Sequence, residues 1–384
     1  MPLLRRPLRA GRLTRALTVV QLLPALESGG VERSTLEIAE ALVAAGHRAI
    51  VVSTGGRLVP ALRATGAEHI ELDIGRKSVL AIRHVPALRK LFAREQADIV
   101  HARSRVPAWL ARVALRGRGA SGPRFVTTVH GLNSPSRYSA VMVSGDRVIC
   151  VSRTVREYVQ RHYPLVDPAR LRVIPRGIDP ARFPAAPLPD RTARAEVASL
   201  HPALAGDGPL LLLPGRGTRL KGHADALHLL AALRGEGSDA RLWMPGARDP
   251  ARADYVAELE ALAVGLGIAD VVAITPPTDA IAGAYAASDL VLQLSHKPEA
   301  FGRTVLEALS TGRPLLGWNH GGVGEQLEAL WPAGAVAPFD AVALLACARS
   351  LLARPDAPAV TMPHTLRAMQ EATLSLYDEL VRNR

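Results

Sequence analysis

The 384-residue chain is 48% apolar, yet no stretch of it reaches the 18 or more uninterrupted apolar residues that a membrane-spanning helix needs, so a soluble chain is expected. Its length exceeds what one hydrophobic core ordinarily organises and predicts two domains of about 180 to 200 residues. Cys150 and Cys347 lie far apart without metal-ligand spacing, which argues against a disulfide framework or a zinc site and favours a reducing cytosol.

The positive charge is concentrated in the first half of the chain. Residues 1–185 carry 30 Lys and Arg against 13 Asp and Glu, whereas residues 186–384 carry 17 against 22, within a formal net charge of +12. A basic face suits nucleic acid, an anionic membrane or an acidic acceptor. Because the chain has only 15 aromatic residues and no recognisable nucleic-acid motif, the membrane or an acidic glycan is favoured, and no nucleic acid is expected. A generally arginine-rich proteome would give the same excess without a binding role.

The first residues are strongly basic and precede any acidic residue. They suit a targeting segment or a basic surface tail. The apolar run over residues 16–23 leads directly into Gly29 and Gly30, which favours a first core strand over a cleaved signal. The basic residues concerned are Arg5, Arg6, Arg9, Arg12 and Arg15.

Short apolar segments alternate with helical patterns along the chain, and this alternation indicates parallel sheets with crossover helices. The fold class expected is therefore α/β, with two doubly wound sheets that face one another across a cleft and bind ligands at the carboxyl ends of their strands. The segment 180–209, rich in proline, alanine and charge, is expected to contain the domain linker. The predicted strands cover residues 17–23, 49–53, 99–101, 125–129 and 147–151, then the region near 210, 241–244, 271–274, 290–294 and 314–317, and the clearest helical patterns cover residues 31–45 and 78–94.

A glycine-rich, basic turn follows the predicted strand near residue 210. Arg216 and Lys221 have four residues between them and lie among Gly215, Gly217 and Gly222, which let the backbone approach a ligand closely. Arginine holds two phosphate oxygens in one plane and lysine adds a compact charge, so the pair suits a diphosphate. The spacing matches neither the P-loop nor Gly-x-Gly-x-x-Gly, and a solvated basic loop is the plain alternative.

Two carboxylates frame the next motif. Glu299 and Glu307 have seven residues between them, and a helix is predicted over residues 302–311, ended by Gly312 with Pro314 beyond. Glu299 then lies on the loop before the helix and Glu307 lies inside it. The free N–H groups and the positive dipole end of a helix start suit a phosphate, whereas two solvated glutamates are the plain alternative.

Together these motifs resemble the retaining, nucleotide-sugar-dependent glycosyltransferases of family 4, of the bacterial cell-envelope or lipopolysaccharide type, which have two Rossmann-like domains in the GT-B fold. The resemblance covers almost the whole chain. It implies an acceptor-binding domain over residues 1–185, a donor-binding domain over residues 186–360, and a C-terminal helix within residues 361–384 that packs back on the first domain. It rests on Gly215-Arg216 with Lys221, on Glu299 to Glu307 followed by Gly312-Arg-Pro314, on Gly321-Gly-Val-Gly-Glu325, and on shorter matches at residues 27–33, 129–131, 151–152 and 174–179.

The resemblance also implies the donor contacts. Arg216 and Lys221 would hold the diphosphate, Glu299 would accept hydrogen bonds from hydroxyls of the transferred sugar, and Glu307 would accept them from the donor ribose. The N–H groups of residues 301–303 would add further phosphate donors. No metal and no other cofactor is expected, because the chain has no Asp-x-Asp triplet and cations take the place of a metal. The donor-binding set comprises Gly29, Gly30, Gly215, Arg216, Lys221, Glu299, Phe301, Gly302, Arg303 and Glu307.

Further candidates lie at the ends of strands in the first half. His130 follows the strand at 125–129, where the family has a histidine near the donor sugar, and it joins Glu299, Arg216 and Lys221 as a catalytic candidate. Gly29 and Gly30 would let the acceptor and the donor phosphate approach the backbone; a tight turn and a structural histidine are the alternatives. The expected contacts to an anionic acceptor are Arg103, Arg105 and Ser152.

Two residues depart from the family pattern. Arg176 stands where the family often has asparagine before Gly-Ile/Val-Asp, and Gly217 replaces a usual aliphatic residue. Neither departure removes a proposed ligand. Each is expected to affect either the hinge between the two domains or the preference for a particular donor.

The expected function is retaining transfer of a hexose from a nucleoside diphosphate sugar to an anionic glycan or glycolipid, in lipopolysaccharide core or other cell-envelope synthesis, in the cytoplasm at the inner face of the membrane. Retention normally uses a carboxylate nucleophile, but none is evident in the first domain, so same-face substitution is inferred from the family. Small soluble acceptors come second. The alternatives are a nucleotide-sugar epimerase or a phosphorylase on the same scaffold, and a non-catalytic glycan-binding or nucleic-acid-binding protein.

Overall fold

The computed structural model describes residues 15–27, 29–119, 121–353 and 360–382. It divides into two compact units, one of residues 1–176 together with 366–384 and one of residues 177–365. The basic residues Arg5, Arg6, Arg9 and Arg12, with the targeting segment or tail considered for them, lie outside the described residues.

The first unit is built on a parallel sheet that has seven strands in its described residues. Five of them confirm the strands predicted in the first half of the chain. The two edge strands were not predicted, because one is the half-polar segment Glu-His-Ile-Glu and the other is only three residues long. The strands are β1 (Thr18–Leu22), β2 (Arg48–Ser53), β3 (Glu68–Glu71), β4 (Ile99–Ala102), β5 (Arg124–Val129), β6 (Arg147–Cys150) and β7 (Leu171–Val173), in the order β3-β2-β1-β4-β5-β6-β7.

Helices connect these strands and bury their apolar sides against the sheet. The helical pattern predicted over residues 78–94 is divided: a 3-10 helix, Val79–His84, precedes an α-helix in whose first turn Pro86 lies. Proline fits the first turn of a helix, where its missing N–H removes no hydrogen bond, so a new helix begins there. The α-helices are α1 (Gly30–Ala44), α2 (Val59–Ala64), α3 (Val85–Arg94), α4 (Arg105–Ala114) and α5 (Arg153–His162).

The second unit repeats this plan with a parallel sheet of six strands within the described ranges. Its strands are β8 (Leu210–Leu212), β9 (Arg241–Pro245), β10 (Val272–Thr275), β11 (Leu290–Gln293), β12 (Leu315–Trp318) and β13 (Ala335–Val336), in the order β10-β9-β8-β11-β12-β13. Its α-helices are α6 (Arg191–Leu200), α7 (His223–Gly235), α8 (Ala253–Gly265), α9 (Ile281–Ala287), α10 (Arg303–Ser310), α11 (Gly321–Leu330) and α12 (Ala341–Leu352). The predicted α/β class with two Rossmann-like sheets is confirmed.

The boundary between the units differs from the predicted one. The first unit ends at Arg176, whereas the predicted first domain ends at residue 185, and residues 180–209, where the linker was predicted, belong to the second unit. The fully buried Arg313 guanidinium donates to the carbonyl oxygens of Ala186 and Pro187 and fixes this segment to its own unit.

The last helix, α13 (Leu366–Arg382), belongs to the first unit and packs beside α1. Gln370 Nε2 donates to the Glu37 carbonyl oxygen at 2.8 Å, and the fully buried Tyr377 joins the apolar core of this unit. None of the helices in the described ranges combines the length and the hydropathy needed to cross a bilayer.

In each sheet the strand order reverses beside the first strand of its unit, between β1 and β4 and between β8 and β11. The carboxyl edge at such a reversal is where doubly wound sheets bind ligands. In the second unit, the loop after β8 carries Arg216 and Lys221, and the loop after β11 carries Glu299.

Candidate functional site

The glycine-rich loop after β8 lies tightly against its neighbours. A Cβ atom at Gly217 would lie 2.0 Å from the Ala247 carbonyl oxygen, and one at Gly222 would lie 2.1 Å from that of Leu294. Gly222 also has a φ of +73° and forms the N-cap of α7. The loop thus needs glycine to fit this edge of the sheet, and it leaves the Arg216 side chain exposed.

Lys221 and Glu299 meet at this edge. The Lys221 ammonium forms an ion pair with Glu299 Oε1, and the same oxygen accepts hydrogen bonds from Ser295 Oγ at 2.6 Å and Gln293 Nε2 at 2.9 Å. Burial alone would raise the pKa of the Glu299 carboxyl, but Lys221, Ser295 and Gln293 outweigh it and hold that pKa below its usual value. Glu299 is therefore a charged, fixed acceptor at neutral pH.

Gln293 and Ser295 were not among the predicted site residues. They end an otherwise apolar strand, since Leu290, Val291 and Leu292 precede Gln293. Polar side chains at the carboxyl end of a buried strand were the signal that could have found them.

Glu307 lies on α10, as predicted, and its Oε2 accepts a hydrogen bond from the hydroxyl of Tyr285 at 2.7 Å. Burial, with the adjacent Glu307 charge, raises the pKa of Tyr285 well above its ordinary value, so the phenol stays protonated and remains a donor. Tyr285 comes from α9, and no motif in the sequence marked it.

The start of α10 is held by α11. Gly302 caps α10 with a φ of +80°, and Gln326 on α11 donates to the carbonyl oxygens of Phe301 and Gly302. The N–H of Gly322 donates to the Glu299 carbonyl oxygen at 2.7 Å, and a Cβ there would lie 2.5 Å from the Ala300 carbonyl oxygen. The Gly-Gly-Val-Gly motif at residues 321–324 thus lets α11 approach the loop that carries Glu299, and Arg303 follows as the first residue of α10.

Several of the predicted site residues of the first unit belong to a second cluster, around His130. Gly29 is the N-cap of α1 and Gly30 its first residue, after the loop that follows β1. The Arg176 guanidinium donates to the Gly30 carbonyl oxygen and to Nδ1 of His130, the latter at 2.6 Å. Burial, with Arg176 and Arg103 nearby, holds the pKa of His130 well below its usual value, so the imidazole is neutral.

The three predicted acceptor contacts each have their own hydrogen-bond partners. Arg103 is only 4% exposed and donates to Gln21 Oε1 at 2.8 Å and to Ser34 Oγ at 3.3 Å. The other two have local roles. Ser152 is buried and caps α5 by accepting from the N–H of Val155, and Arg105 on α4 reaches Ser139 Oγ at 3.5 Å. Arg103 is thus held inside its unit by Gln21 and Ser34, and acceptor binding by the three residues stays a prediction.

A series of side-chain hydrogen bonds links the sheet of the first unit to α13. His101 bonds to Thr128 Oγ1 and, at its other ring nitrogen, to the Tyr377 hydroxyl, both at 2.6 Å. Full burial lowers the pKa of His101 well below its usual value. This histidine is held by two hydrogen bonds inside the core.

The two clusters offer different chemistry. At the edge of the second sheet Lys221 pairs with Glu299, and Arg216 is exposed on the same loop as Lys221. Cations beside a carboxylate suit a ligand carrying both phosphates and hydroxyls. The cluster of the first unit consists of buried cations around a neutral histidine.

Two sequence families match the chain. Residues 28–182 match the family described as Glycosyltransferase Family 4, and residues 201–360 match the family described as Glycosyl transferases group 1. The two matches follow the two units and together span most of the chain.

Curated relatives include D-inositol 3-phosphate glycosyltransferases. The protein of that name from Geodermatophilus obscurus is 34% identical over 191 residues, which cover 48% of this chain and 40% of the relative. The one from Acidothermus cellulolyticus is 29% identical over 248 residues, which cover 59% of this chain and 53% of the relative. The chain spans about half the length of the curated relatives that it matches.

Solved structures match over nearly the whole chain. A glycosyltransferase from Rickettsia africae is 27% identical with a TM-score of 0.81, covering 96% of this chain and 100% of that one. Anabaena HepE in complex with UDP and glucose is 18% identical with a TM-score of 0.74, covering 96% of this chain and 98% of that one. WaaG, described as a glycosyltransferase involved in lipopolysaccharide biosynthesis, is 20% identical with a TM-score of 0.66, covering 95% of this chain and 94% of that one. The likeness to the last two is one of fold.

Proposed function

The chain belongs to the family 4-type glycosyltransferases with the GT-B fold, and from this we propose that it transfers a sugar from a nucleoside diphosphate sugar to an acceptor hydroxyl. The observation that carries the proposal is the joining of the glycine-rich loop and the paired-glutamate loop by Lys221 and Glu299 at the carboxyl edge of the second sheet.

The two cations are the ligands proposed for the donor diphosphate. Arg216 is exposed on the loop after β8 and free to turn toward a phosphate, and Lys221 lies at the end of the same loop. The leaving diphosphate gains negative charge as the glycosidic bond breaks, so these contacts strengthen toward the transition state. No divalent metal is part of the proposal, since two side-chain cations supply the charge that a metal otherwise would.

The two carboxylates are the ligands proposed for hydroxyl groups. Glu299 is charged and held in place by Ser295 and Gln293, and Glu307 is oriented by Tyr285. A carboxylate fixed by neighbours accepts hydrogen bonds from hydroxyls without reorganisation. Glu299 is assigned to the transferred sugar and Glu307 to the ribose.

We propose that the transfer retains the anomeric configuration by same-face substitution. The bond between the anomeric carbon and the phosphate oxygen breaks, the acceptor oxygen bonds to that carbon, and the acceptor proton passes to the departing phosphate oxygen. The products are the glycosylated acceptor and the nucleoside diphosphate. His130 stays neutral in this scheme and serves as a hydrogen-bonding group rather than as a base.

The acceptor class proposed first is an anionic glycan or glycolipid of the cell envelope, as for the fold neighbour WaaG with its lipopolysaccharide role. A phosphorylated polyol is the second candidate, since the curated relatives are named D-inositol 3-phosphate glycosyltransferases. Both acceptors are anionic, in keeping with the excess of basic residues in the first half of the chain.

An anionic membrane surface is the proposed partner of the first unit, and the inner face of the cytoplasmic membrane the proposed location. Residues 76–94 contain six Lys and Arg and no Asp or Glu. Within them, Leu80 and Ile82 are 68% and 61% exposed on the 3-10 helix Val79–His84, beside the exposed Lys77 and Arg83. Two exposed apolar side chains among cations suit insertion between anionic headgroups.

Calorimetric titration with UDP, GDP and ADP, without added metal, tests the donor site. The wild type is expected to bind one of the three selectively, and Glu307→Ala and Arg216→Ala are expected to weaken that binding at least tenfold. Matched controls are Glu196→Ala and Arg191→Ala, which change exposed residues of α6 in the same unit.

Absence of binding by the wild type, or equal binding by all five proteins, would refute the donor site. A non-catalytic glycan-binding protein would then be the better description. Selective binding without transfer to any acceptor, but with interconversion of the sugar, would instead point to an epimerase on the same scaffold.

A further inference from the structure

A cavity of about 580 Å³ lies in the first unit at the amino ends of β4 and β5. Asp98, directly before β4, and Pro123, directly before β5, line it together with residues of α3 and of the loop that joins α4 to β5. Arg103 and His130 follow the carboxyl ends of the same two strands, so the cavity lies at the opposite edge of the sheet from them. Its volume is within the range of small-molecule sites, about 300 to 1,000 Å³. We call it the amino-edge cavity.

The lining of the amino-edge cavity carries more positive than negative charge. Its charged residues are Arg15, Arg89, Arg116, Arg118 and Asp98. Arg15 is paired with Asp98, and Arg118 is paired with Asp146, which is not part of the lining. Arg89 and Arg116 have no carboxylate within ion-pair distance in the part of the chain that the structure describes. Two guanidinium charges at the cavity thus have no carboxylate partner.

Arg89 is held in place without being neutralised by a carboxylate. Its Nε donates to the Ala114 carbonyl oxygen at 3.2 Å and its Nη2 donates to the Val113 carbonyl oxygen at 3.4 Å, both in the last turn of α4. A guanidinium has five N–H groups in total, so Arg89 keeps donors for a ligand. Arg116 lies just beyond the same helix end, and its side chain is exposed.

A glycine-rich, basic loop forms one side of the amino-edge cavity. Its sequence over residues 116–123 is Arg-Gly-Arg-Gly-Ala-Ser-Gly-Pro. Gly117 has a φ of +75°, a conformation that favours glycine. A Cβ atom at Gly122 would lie 2.6 Å from the Cβ atom of Arg118, so glycine is needed where the loop folds back on this arginine. The glycines thus allow the loop conformation that places its two arginines at the cavity.

The same lining has an apolar part, which sets the class of ligand. Phe92, Ala97, Ala114 and Leu115 line the cavity and are buried within the unit. A ligand with an organic part and an anionic group uses both kinds of surface. Arginine binds two phosphate oxygens in one plane, and a phosphate monoester carries about 1.5 to 2 negative charges at pH 7, close to the two unpaired guanidinium charges.

We propose that the amino-edge cavity binds a phosphate ester, whose phosphate oxygens are received by Arg89 and Arg116 and whose organic part lies against Phe92 and Leu115. Two sources can present this group: a soluble organic phosphate, or the headgroup of an anionic phospholipid. The second source is compatible with the membrane surface proposed above, since Arg89 belongs to the basic segment 76–94. The inference does not rest on the proposed glycosyl transfer.

Binding of a soluble ester is tested by calorimetric titration of the full chain with phenyl phosphate. Arg89→Gln with Arg116→Gln is expected to weaken binding at least tenfold. Arg116→Gln alone is expected to weaken it as well, and it breaks no hydrogen bond or ion pair recorded among the described residues. The matched control is Arg156→Gln with Arg161→Gln, which removes two exposed arginines from α5 of the same unit.

The donor site also contains cations, so its contribution is measured separately. Arg216→Ala is expected to bind phenyl phosphate at the amino-edge cavity with wild-type affinity. Conversely, Arg89→Gln with Arg116→Gln is expected to bind the nucleoside diphosphate like the wild type. If Arg216→Ala abolished all binding of phenyl phosphate, the donor site would account for it and the amino-edge cavity would be refuted.

A substitution that keeps the charge tests whether the loop geometry matters. Gly122→Ala forces the loop away from Arg118 and is expected to weaken phenyl phosphate binding several-fold. Gly119→Ala is the control, because no atom lies within 4 Å of its added methyl group. Equal binding by Gly122→Ala and wild type would overturn the assignment of the ester to this cavity.

Sedimentation with vesicles distinguishes the two sources. Phosphatidylcholine vesicles with and without phosphatidic acid, whose headgroup is a phosphate monoester, are compared. Loss of the phosphatidic acid dependence in Arg89→Gln with Arg116→Gln, but not in Arg156→Gln with Arg161→Gln, would support the lipid source. The proposal is overturned if neither phenyl phosphate nor these vesicles distinguish the first double variant from wild type. It is also overturned if the control double variant loses as much binding, because general surface charge would then explain the result.

Discussion

Lys221 and Glu299, 78 residues apart in the sequence, form an ion pair at the carboxyl edge of the second sheet. The pair brings together the two sequence motifs that were predicted to share a site. In the proposed function, a donor exchanges this ion pair for contacts of Lys221 and Glu299 with its own phosphates and hydroxyls. The ion pair holds both side chains in place.

Glu299→Gln separates binding of the nucleotide from transfer of the sugar. The amide removes the negative charge that competes for Lys221, so the affinity for the nucleoside diphosphate is expected to stay within a few-fold of wild type or to rise. Transfer is expected to fall at least 100-fold, because a charged acceptor for the sugar hydroxyls is lost. Calorimetry with the diphosphate and initial-rate measurements with the sugar nucleotide give the two values. A parallel loss of both would place Glu299 in nucleotide binding instead.

Tyr285→Phe tests whether the tyrosine orients Glu307. The hydroxyl donates to that carboxylate at 2.7 Å, and a hydrogen bond to a charged group contributes about 1.5 to 3 kcal/mol. The dissociation constant for the nucleotide is expected to rise about tenfold or more. Tyr255→Phe is the matched control, since Tyr255 is also buried in the second unit but contacts His223. Equal effects of the two variants would argue against a specific role for Tyr285.

The strands were predictable because a parallel strand covered on both faces reads as a continuous apolar run. Leu210–Leu212 is the clearest case, and each of its residues is fully buried. The missed strands lie at sheet edges, where Glu68–Glu71 is half-polar and Ala335–Val336 has only two residues. Composition also could not reveal that Arg313 donates to the carbonyl oxygens of Ala186 and Pro187 in the proline-rich segment.

The candidate site in the second unit could be recognised in part because its signals are local: glycines, cations and acids at short spacing. The partners of those residues come from other elements, as Tyr285 does from α9, and no short motif records them. The pairing of Arg176 with His130 joins the ends of two different strands. From the sequence, Arg176 was visible only as a departure from the family pattern.

Gly217→Ala tests whether the loop after β8 requires glycine at position 217, where the family usually has an aliphatic residue. A Cβ there would lie 2.0 Å from the Ala247 carbonyl oxygen, so the loop must shift, and the free energy of unfolding is expected to fall by about 1 to 3 kcal/mol. Nucleotide affinity is expected to fall with it, because Arg216 is the adjacent residue. Gly235→Ala at the end of α7 is the control, with nothing within 4 Å of its added methyl group. It is expected to leave stability unchanged or to raise it by up to about 1 kcal/mol. A neutral Gly217→Ala would contradict the close contact.

The stability of the second unit is expected to depend on His223 in mildly acid solution. Burial lowers the pKa of this histidine to about 4, and Lys221 adds to the shift while a backbone hydrogen bond at Thr218 opposes it. Below the ordinary value of about 6.5 the unfolded chain takes up the proton first, so the free energy of unfolding falls as the pH drops from about 6.5 toward 4. The loss reaches on the order of 3 kcal/mol once both states are protonated.

His223→Gln removes this titration, so its stability is expected to change less steeply over the same pH range. Urea unfolding at several pH values gives both slopes. Tryptophan fluorescence is a suitable signal, because Trp243, Trp318 and Trp331 lie in the second unit and only Trp109 lies in the first. Identical slopes for the two proteins would show that His223 is not held neutral by burial.

The proposed membrane surface is tested by replacing its apolar side chains while keeping its charge. Leu80→Ser with Ile82→Ser is expected to weaken sedimentation with vesicles of phosphatidylcholine and phosphatidylglycerol about tenfold or more, since each side chain contributes buried apolar area on insertion. Nucleotide binding should be unchanged, because the proposed nucleotide contacts Arg216, Lys221 and Glu307 lie in the second unit. Leu165→Ser is the matched control, with a 99% exposed leucine of the same unit outside the basic segment. If the wild type bound purely zwitterionic vesicles as well as anionic ones, this segment would be excluded as the docking surface. It would also be excluded if Leu165→Ser weakened vesicle binding as much as Leu80→Ser with Ile82→Ser.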